Sequence, residues 1–201
     1  MPIVTGVLLG LSTLLFVGPV FFYLLKSSME NGVKSGVAVA VGIILGDIIC
    51  VLLAIYGIGD YLETPIIQKW FAIIGGLLLI LMGIISFFSK KEKNKIKGNK
   101  GEASLLKYGI NGFLINFINP FVFAVWFGFY TLNSAKYEDS FDIKTSLIVT
   151  LLIIFITDIL KAIFANKIKK WISPLVFSKM VKIIGVIMIC FGIRLFISLF
   201  S

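Results

Sequence analysis

The chain has 201 residues, 59% of them hydrophobic and only 14% charged, with a mean hydropathy of +1.05 and a formal net charge of +9. That balance is far from a soluble domain and reads as an integral membrane protein. The absence of histidine removes Ser-His and Cys-His nucleophile pairs and the commonest metal ligand, and no GxxxxGK(S/T) loop is present to couple the chain to ATP.

Apolar windows of about 20 residues cross a hydrocarbon core roughly 30 Å thick. Six such windows predict transmembrane helices over residues 3–25, 37–58, 70–88, 108–132, 146–165 and 183–200. Nearly all of the mass lies in these windows, so a single transmembrane domain is expected over 1–201. The first segment opens on MPIVT, without positive charge, and its apolar run is too long for a signal-peptide core, so the span is expected to stay. It contains Gly18 and Pro19. Proline removes one backbone hydrogen bond from a helix and sterically opens another, which predicts a broken helix at membrane depth. Such breaks are tolerated where they line a cavity, and the half-helix that follows offers its N-terminus to a carboxylate. An ordinary packing kink is the competing reading.

The second window carries Ala38, Gly42, Gly46, Cys50 and Ala54 at every fourth position, a stripe of small residues suited to close helix approach. Asp47 lies about 100° around the helix from that stripe and so can face the interior. A carboxylate at this depth costs on the order of 2.5–3.5 kcal/mol, which requires either compensation or a purpose. The third window reads GLLLILMGI over 76–84. The connection at 90–107, KKEKNKIKGNKGEASLLK within its bounds, reads as a solvated basic loop within reach of anionic lipid.

In the fourth window GFLINFINP places Asn116, Asn119 and Pro120 at a second break, with Trp126 beyond it either lining a cavity or facing lipid. Trp70 and Tyr108 fit interfacial aromatic belts. The fifth window carries Asp158, with Lys161 three residues on as a ready ion-pair partner, so transport and bracing both remain open for this acid. NKIKKWISPLVFSK then reads either as an interfacial segment with Trp171 at headgroup depth or as an ordinary connection. The sixth window, GVIMICFGI over 185–193, ends on Arg194, expected to snorkel or to bind headgroups, with a substrate-carboxylate contact as the lesser alternative.

Halved, the chain repeats itself. Gly76 to Ile84 aligns with Gly185 to Ile193 at an offset of 109, Asp47 approaches Asp158 at 111, and Gly18-Pro19 approaches Asn119-Pro120 at 101. Each half thus holds a proline-broken helix, an aspartate-bearing helix and a glycine-spaced helix. With three spans per half the second half enters from the opposite face, giving a 3+3 inverted repeat with repeat 1 at about 1–89 and repeat 2 at about 107–201.

The lysines concentrate in the first, third and fifth connections, whereas the other two hold Asp60, Glu63, Glu138, Asp139 and Asp142. The positive-inside rule places the basic side in the cytoplasm and both termini outside, which accounts for the net charge without a nucleic-acid partner. Cys50 and Cys190 share no CxxC spacing and read as packing residues.

Gly18-Pro19, the GVKSG that leads into AVAVGIILGD, and GFLINFINP together resemble the LysE/RhtB family of amino-acid exporters through nearly the whole chain. The resemblance implies a small integral membrane protein that exports amino acids on ion gradients. The family usually carries lysine after the Asn-Pro, where this chain has Phe121, so that lysine's role does not transfer. The resulting expectation is an all-α, six-helix secondary exporter of small amino acids or related metabolites, proton-driven, multi-pass in a bacterial inner membrane. It is not an enzyme and needs no cofactor or resident metal. Its substrate or ion site is expected at Asp47, Asp158, Asn116, Asn119, Gly18, Pro19, Pro120 and Lys161, and its partners are the amino acid, membrane lipid and a homo-oligomeric copy of itself. The alternatives are metal or inorganic-ion efflux, for which the ligand set is poor, and a thiol-disulfide electron carrier requiring Cys50 and Cys190 to meet.

Overall fold

The computed structural model describes residues 1–16, 18–58, 64–88, 102–168 and 174–197, and all regular structure among them is helical. The elements are α1 (Pro2–Ser12), a 3-10 turn (Thr13–Leu15), α2 (Pro19–Asn31), α3 (Val33–Leu52) running into a wider π turn (Leu53–Ile58), α4 (Pro65–Phe88), α5 (Glu102–Phe117), α6 (Pro120–Ser134), α7 (Ser140–Ile168) and α8 (Pro174–Ile197). By length and composition Val33–Tyr56 and Ser140–Ala165 each suffice to cross a membrane. Two bent pairs raise the number of candidate spans among the described residues to four.

Both breaks form where proline dictates. Between α1 and α2 the chain bends by 76°, and between α5 and α6 by 64°. At the end of α1, Ser12 and Thr13 hydroxyls donate back to the Leu9 and Gly10 carbonyls, each at 2.6 Å, which satisfies acceptors that a broken helix leaves open. Phe16 and Gly18 are extended, and Pro19 starts α2 at the position where its missing N–H costs nothing. Between α5 and α6 the side chain of Asn119 accepts a hydrogen bond from the Phe121 amide at 3.1 Å and so caps the helix that Pro120 begins. Gly32 closes α2 with φ +91°, a left-handed conformation open to glycine, and turns the chain directly into α3.

In lipid the helices gain nothing by hiding leucine, so small residues and interhelical hydrogen bonds decide which faces meet. The stripe on α3 seats α5: a Cβ on Gly42 would stand 2.0 Å from the Gly109 carbonyl oxygen and 2.7 Å from the Phe113 amide. On α4, Gly76 and Gly83 abut Gly192 and Gly185 of α8 in antiparallel order. α1 packs on α7, and the Ser28 hydroxyl of α2 donates to the Ala162 carbonyl of α7 beside Gly36 of α3. The surface is correspondingly inverted relative to a soluble protein. Leu8, Leu45, Leu77, Ile85, Leu132, Leu152 and Phe164 are exposed, whereas Asp47, Asn116, Asn119, Asn133, Ser146, Thr150 and Asp158 are buried.

Two expectations change. Tyr108 is not a belt residue; it is buried with Leu24, Leu25, Val39 and Ala162, because α5 presents that face to α2, α3 and α7. The helices also begin before the apolar windows, with α5 already under way at Glu102 inside the segment read as loop. The rest of that basic segment (89–101), residues 169–173 with Trp171, and the side chain of Trp70 lie outside the described residues.

The seam predicts its own sensitivity. Gly42→Val is expected to lower the stability of the detergent-solubilised protein by about 1–3 kcal/mol through overpacking, read as a lower midpoint in a thermal unfolding scan. Gly128→Ala, where an added methyl meets nothing within 4 Å, is expected to melt at or slightly above the wild-type midpoint.

Candidate functional site

The two breaks open on one cavity of about 830 Å³, within the range of small-molecule sites. Asp47 projects into it from α3. Its Oδ1 accepts two hydrogen bonds, from Asn116 Nδ2 of α5 and from Trp126 Nε1 of α6, both at 2.9 Å. Asn116 Nδ2 also donates to the Ile43 carbonyl at 2.9 Å, one turn before Asp47 on the same helix. Gly46 makes room for this arrangement, since a Cβ there would lie 2.9 Å from Asn116 Nδ2. One oxygen of Asp47 is therefore committed to holding three helices together. The other, Oδ2, accepts no hydrogen bond among the described residues, although the residue is only 3% exposed and lines the cavity.

Asp158 enters the same cavity from α7. Its Oδ1 pairs with Lys161 Nζ at 2.8 Å, and that ammonium also lies 5.9 Å from the centre of the Phe21 ring. With all three groups ionised, two carboxylates share one ammonium, so one negative charge is left without a counter-charge among the described residues that line the cavity. The remaining polar wall is Asn119, Thr13 and the N-terminus of α2, where Gly18, Pro19, Val20 and Phe21 border the cavity. Its N-cap residue, Gly18, has no side chain with which to cap it. The first amides of any helix lack intrahelical acceptors, and here those of Val20 and Phe21 end α2 beside the cavity. Phe16 and Phe121, one from each break, meet edge to face with ring centroids 5.3 Å apart.

Of the residues expected to form a site, Asp47, Asp158, Asn116, Asn119, Gly18, Pro19 and Lys161 all line this one cavity. Pro120 starts α6 directly after Asn119, and its side chain is outside the described residues. Sequence reasoning left Trp126 between cavity and lipid. It is 2% exposed, and its indole N–H binds Asp47. The available signal was its depth: a tryptophan far from either interface must find an acceptor for its N–H. Arg194 is exposed on α8 and takes no part in the cavity. Cys50 is buried in the cluster with Trp126 and Leu147, whereas Cys190 is exposed on α8. Among the described residues no three His, Cys, Asp or Glu side chains are grouped to share a metal ion.

Comparison with known proteins meets the geometry here. The chain matches the family model described as LysE type translocator over residues 11–199. It is 25% identical over 189 residues to YcgF of Bacillus subtilis (strain 168), a protein named for a proposed role in amino acid efflux, with 92% of this chain and 90% of that one covered. Shorter stretches match the leucine efflux proteins of Klebsiella pneumoniae subsp. pneumoniae (31% over 67 residues, 33% of this chain and 32% of that one) and of Enterobacter sp. (strain 638) (25% over 117 residues, 56% and 54%). No solved structure matches at the same level of significance. With the match running almost from end to end of a helical, membrane-type chain, the protein belongs to the LysE type translocator family and is a transporter, not an enzyme.

Proposed function

We propose that this chain is a proton-driven secondary exporter of amino acids, one transmembrane domain of six spans arranged as a 3+3 inverted repeat in a bacterial inner membrane. In this reading α1 with α2 and α5 with α6 are the two broken spans, α3 and α7 the aspartate-bearing ones, and α4 and α8, 24 residues each, complete the set. The packing supports the repeat. Exchanging the halves carries the α1–α7 contact onto α5–α3, and carries the Gly76–Gly192 contact onto Gly185–Gly83. The lysine-rich connections would face the cytoplasm.

One observation carries the functional reading: Asp47, a buried residue whose Oδ2 accepts no hydrogen bond among the described residues, lines a cavity that both broken helices border. A carboxylate in low dielectric attracts a cation strongly, and an amino acid's ammonium or a proton supplies one. The substrate carboxylate would lie at the uncapped start of α2, whose amides carry the positive end of the helix dipole. Ammonium and proton would then alternate on Asp47, with Asp158 and Lys161 as the neighbouring pair. One proton moving in through 100 mV yields about 2.3 kcal/mol, enough to sustain a gradient of roughly fifty-fold in an exported zwitterion.

Two measurements test this. In proteoliposomes loaded with labelled amino acids, Asp47→Asn is expected to abolish efflux driven by an imposed proton gradient; efflux at the wild-type rate would remove Asp47 from coupling. For the second acid, Lys161→Met leaves Asp158 unpaired and is expected to cost about 3–5 kcal/mol of stability, whereas Asp158→Leu with Lys161→Met is expected to recover most of it. A double variant that melts like wild type yet has lost gradient-driven efflux assigns the pair to transport; one that exports normally makes it a brace.

A further inference from the structure

The walls of the cavity divide unequally. Each polar side chain that reaches it is already engaged within the protein. Thr13 donates to the Gly10 carbonyl, Asn116 donates to Asp47 and Ile43, Asn119 caps α6, and Lys161 holds Asp158. What remains for a ligand is Asp47 Oδ2, the α2 amides, the neutral Asn116 Oδ1 and Asn119 Nδ2, and one carboxylate oxygen of an acid whose charge Lys161 already matches. These suffice for one ammonium and one carboxylate. They leave no unmatched counter-charge over for a second charged group.

Much of the remaining lining is hydrocarbon. Leu79 of α4, Val125 of α6, Ile154 of α7 and Met188 of α8 come from four different helices to the same cavity, and Leu79, Ile154 and Met188 are 5%, 8% and 7% exposed. Three side chains that line the cavity and are otherwise covered by protein are placed to receive an apolar group. Methionine adds adaptability, since its unbranched thioether conforms to guests of different shape.

We propose that the substrate is an α-amino acid with an apolar side chain, received by the wall of Leu79, Val125, Ile154 and Met188. This rests on the reading of Asp47 and the α2 N-terminus as the zwitterion's holdfasts, and it adds which zwitterions are accepted. The cavity volume sets no narrow ceiling on size, so valine, leucine, methionine and phenylalanine fit the same chemistry. Threonine is a near-isostere of valine but would set its hydroxyl against the apolar side chains of Leu79, Val125, Ile154 and Met188. An apolar pocket rejects such an isostere by about a hundredfold at most. Lysine would bring a second ammonium to a site with one unmatched charge.

The test uses the full chain in proteoliposomes loaded with labelled valine, threonine, leucine, lysine or glutamate, with initial efflux rates measured under one imposed gradient. Valine is expected to leave roughly ten to a hundred times faster than threonine, and leucine faster than lysine or glutamate. Threonine matching valine, or lysine matching leucine, would overturn the proposal and leave amino-acid export standing. No efflux of any of the five would overturn both. Met188→Gln, close to methionine in volume, is expected to bring the valine-to-threonine ratio toward one, and Leu79→Asn to do the same from the facing helix. A ratio unchanged in whichever of these variants folds and transports would sink the assigned wall, and failure of both variants to fold leaves the wild-type panel to decide.

Discussion

A carboxyl group in hydrocarbon is the constraint around which this molecule is arranged. Asp47 is tolerable at that depth because two donors reach one of its oxygens, and each donor sits on a different helix. For Asn116 to arrive, α5 must lie almost backbone to backbone on α3, which Gly42 and Gly46 permit by having no side chain. For Trp126 to arrive, the chain must turn after α5 and return as α6, which Pro120 and the capping Asn119 bring about. Glycine seam, broken helix and buried tryptophan are thus three parts of a single solvation shell. Removing any one leaves a polar group in an apolar medium, where an unmade hydrogen bond costs more than a made one contributes.

The cavity lies where two packing units meet. α4 and α8 pack chiefly on each other, whereas α1, α2, α3, α5 and α7 form a connected cluster through Gly6, Gly10, Ser28, Gly36 and Gly42. The acids and the uncapped α2 belong to the cluster; Leu79 and Met188 belong to the pair. In the proposed reading a guest spanning the cavity would touch both units at once, with its polar end on one and its apolar end on the other.

Much of this was legible in the sequence because proline and aspartate carry their chemistry locally. A proline inside an apolar window breaks a helix wherever it sits, and an acid inside one must be compensated, so the two breaks and both acids could be named without coordinates. The Asp158–Lys161 pair was legible for the same reason, being one helical turn long. What was not legible depended on distance along the chain. Asp47 and Trp126 are separated by 79 residues, and nothing in either neighbourhood names the other. Leu79 and Met188 were invisible as cavity residues because leucine and methionine in a spanning helix look alike whether they face lipid or a ligand. Tyr108 was misread because an aromatic near the edge of an apolar window matches an interfacial belt until a neighbouring helix covers it. The helix starts came early because hydropathy measures membrane depth, while the helix itself continues into water through residues such as Lys34 and Glu102.

Two helix beginnings look onto one chamber, but they are not alike. Asn119 turns its own side chain back to occupy the amide of Phe121, while Gly18, in the same position before α2, has no side chain to do so. In the proposed reading a dipolar guest would set its negative end at α2 and so lie one way round. The direction of the passenger would then follow from a hydrogen bond that Asn119 makes within its own helix.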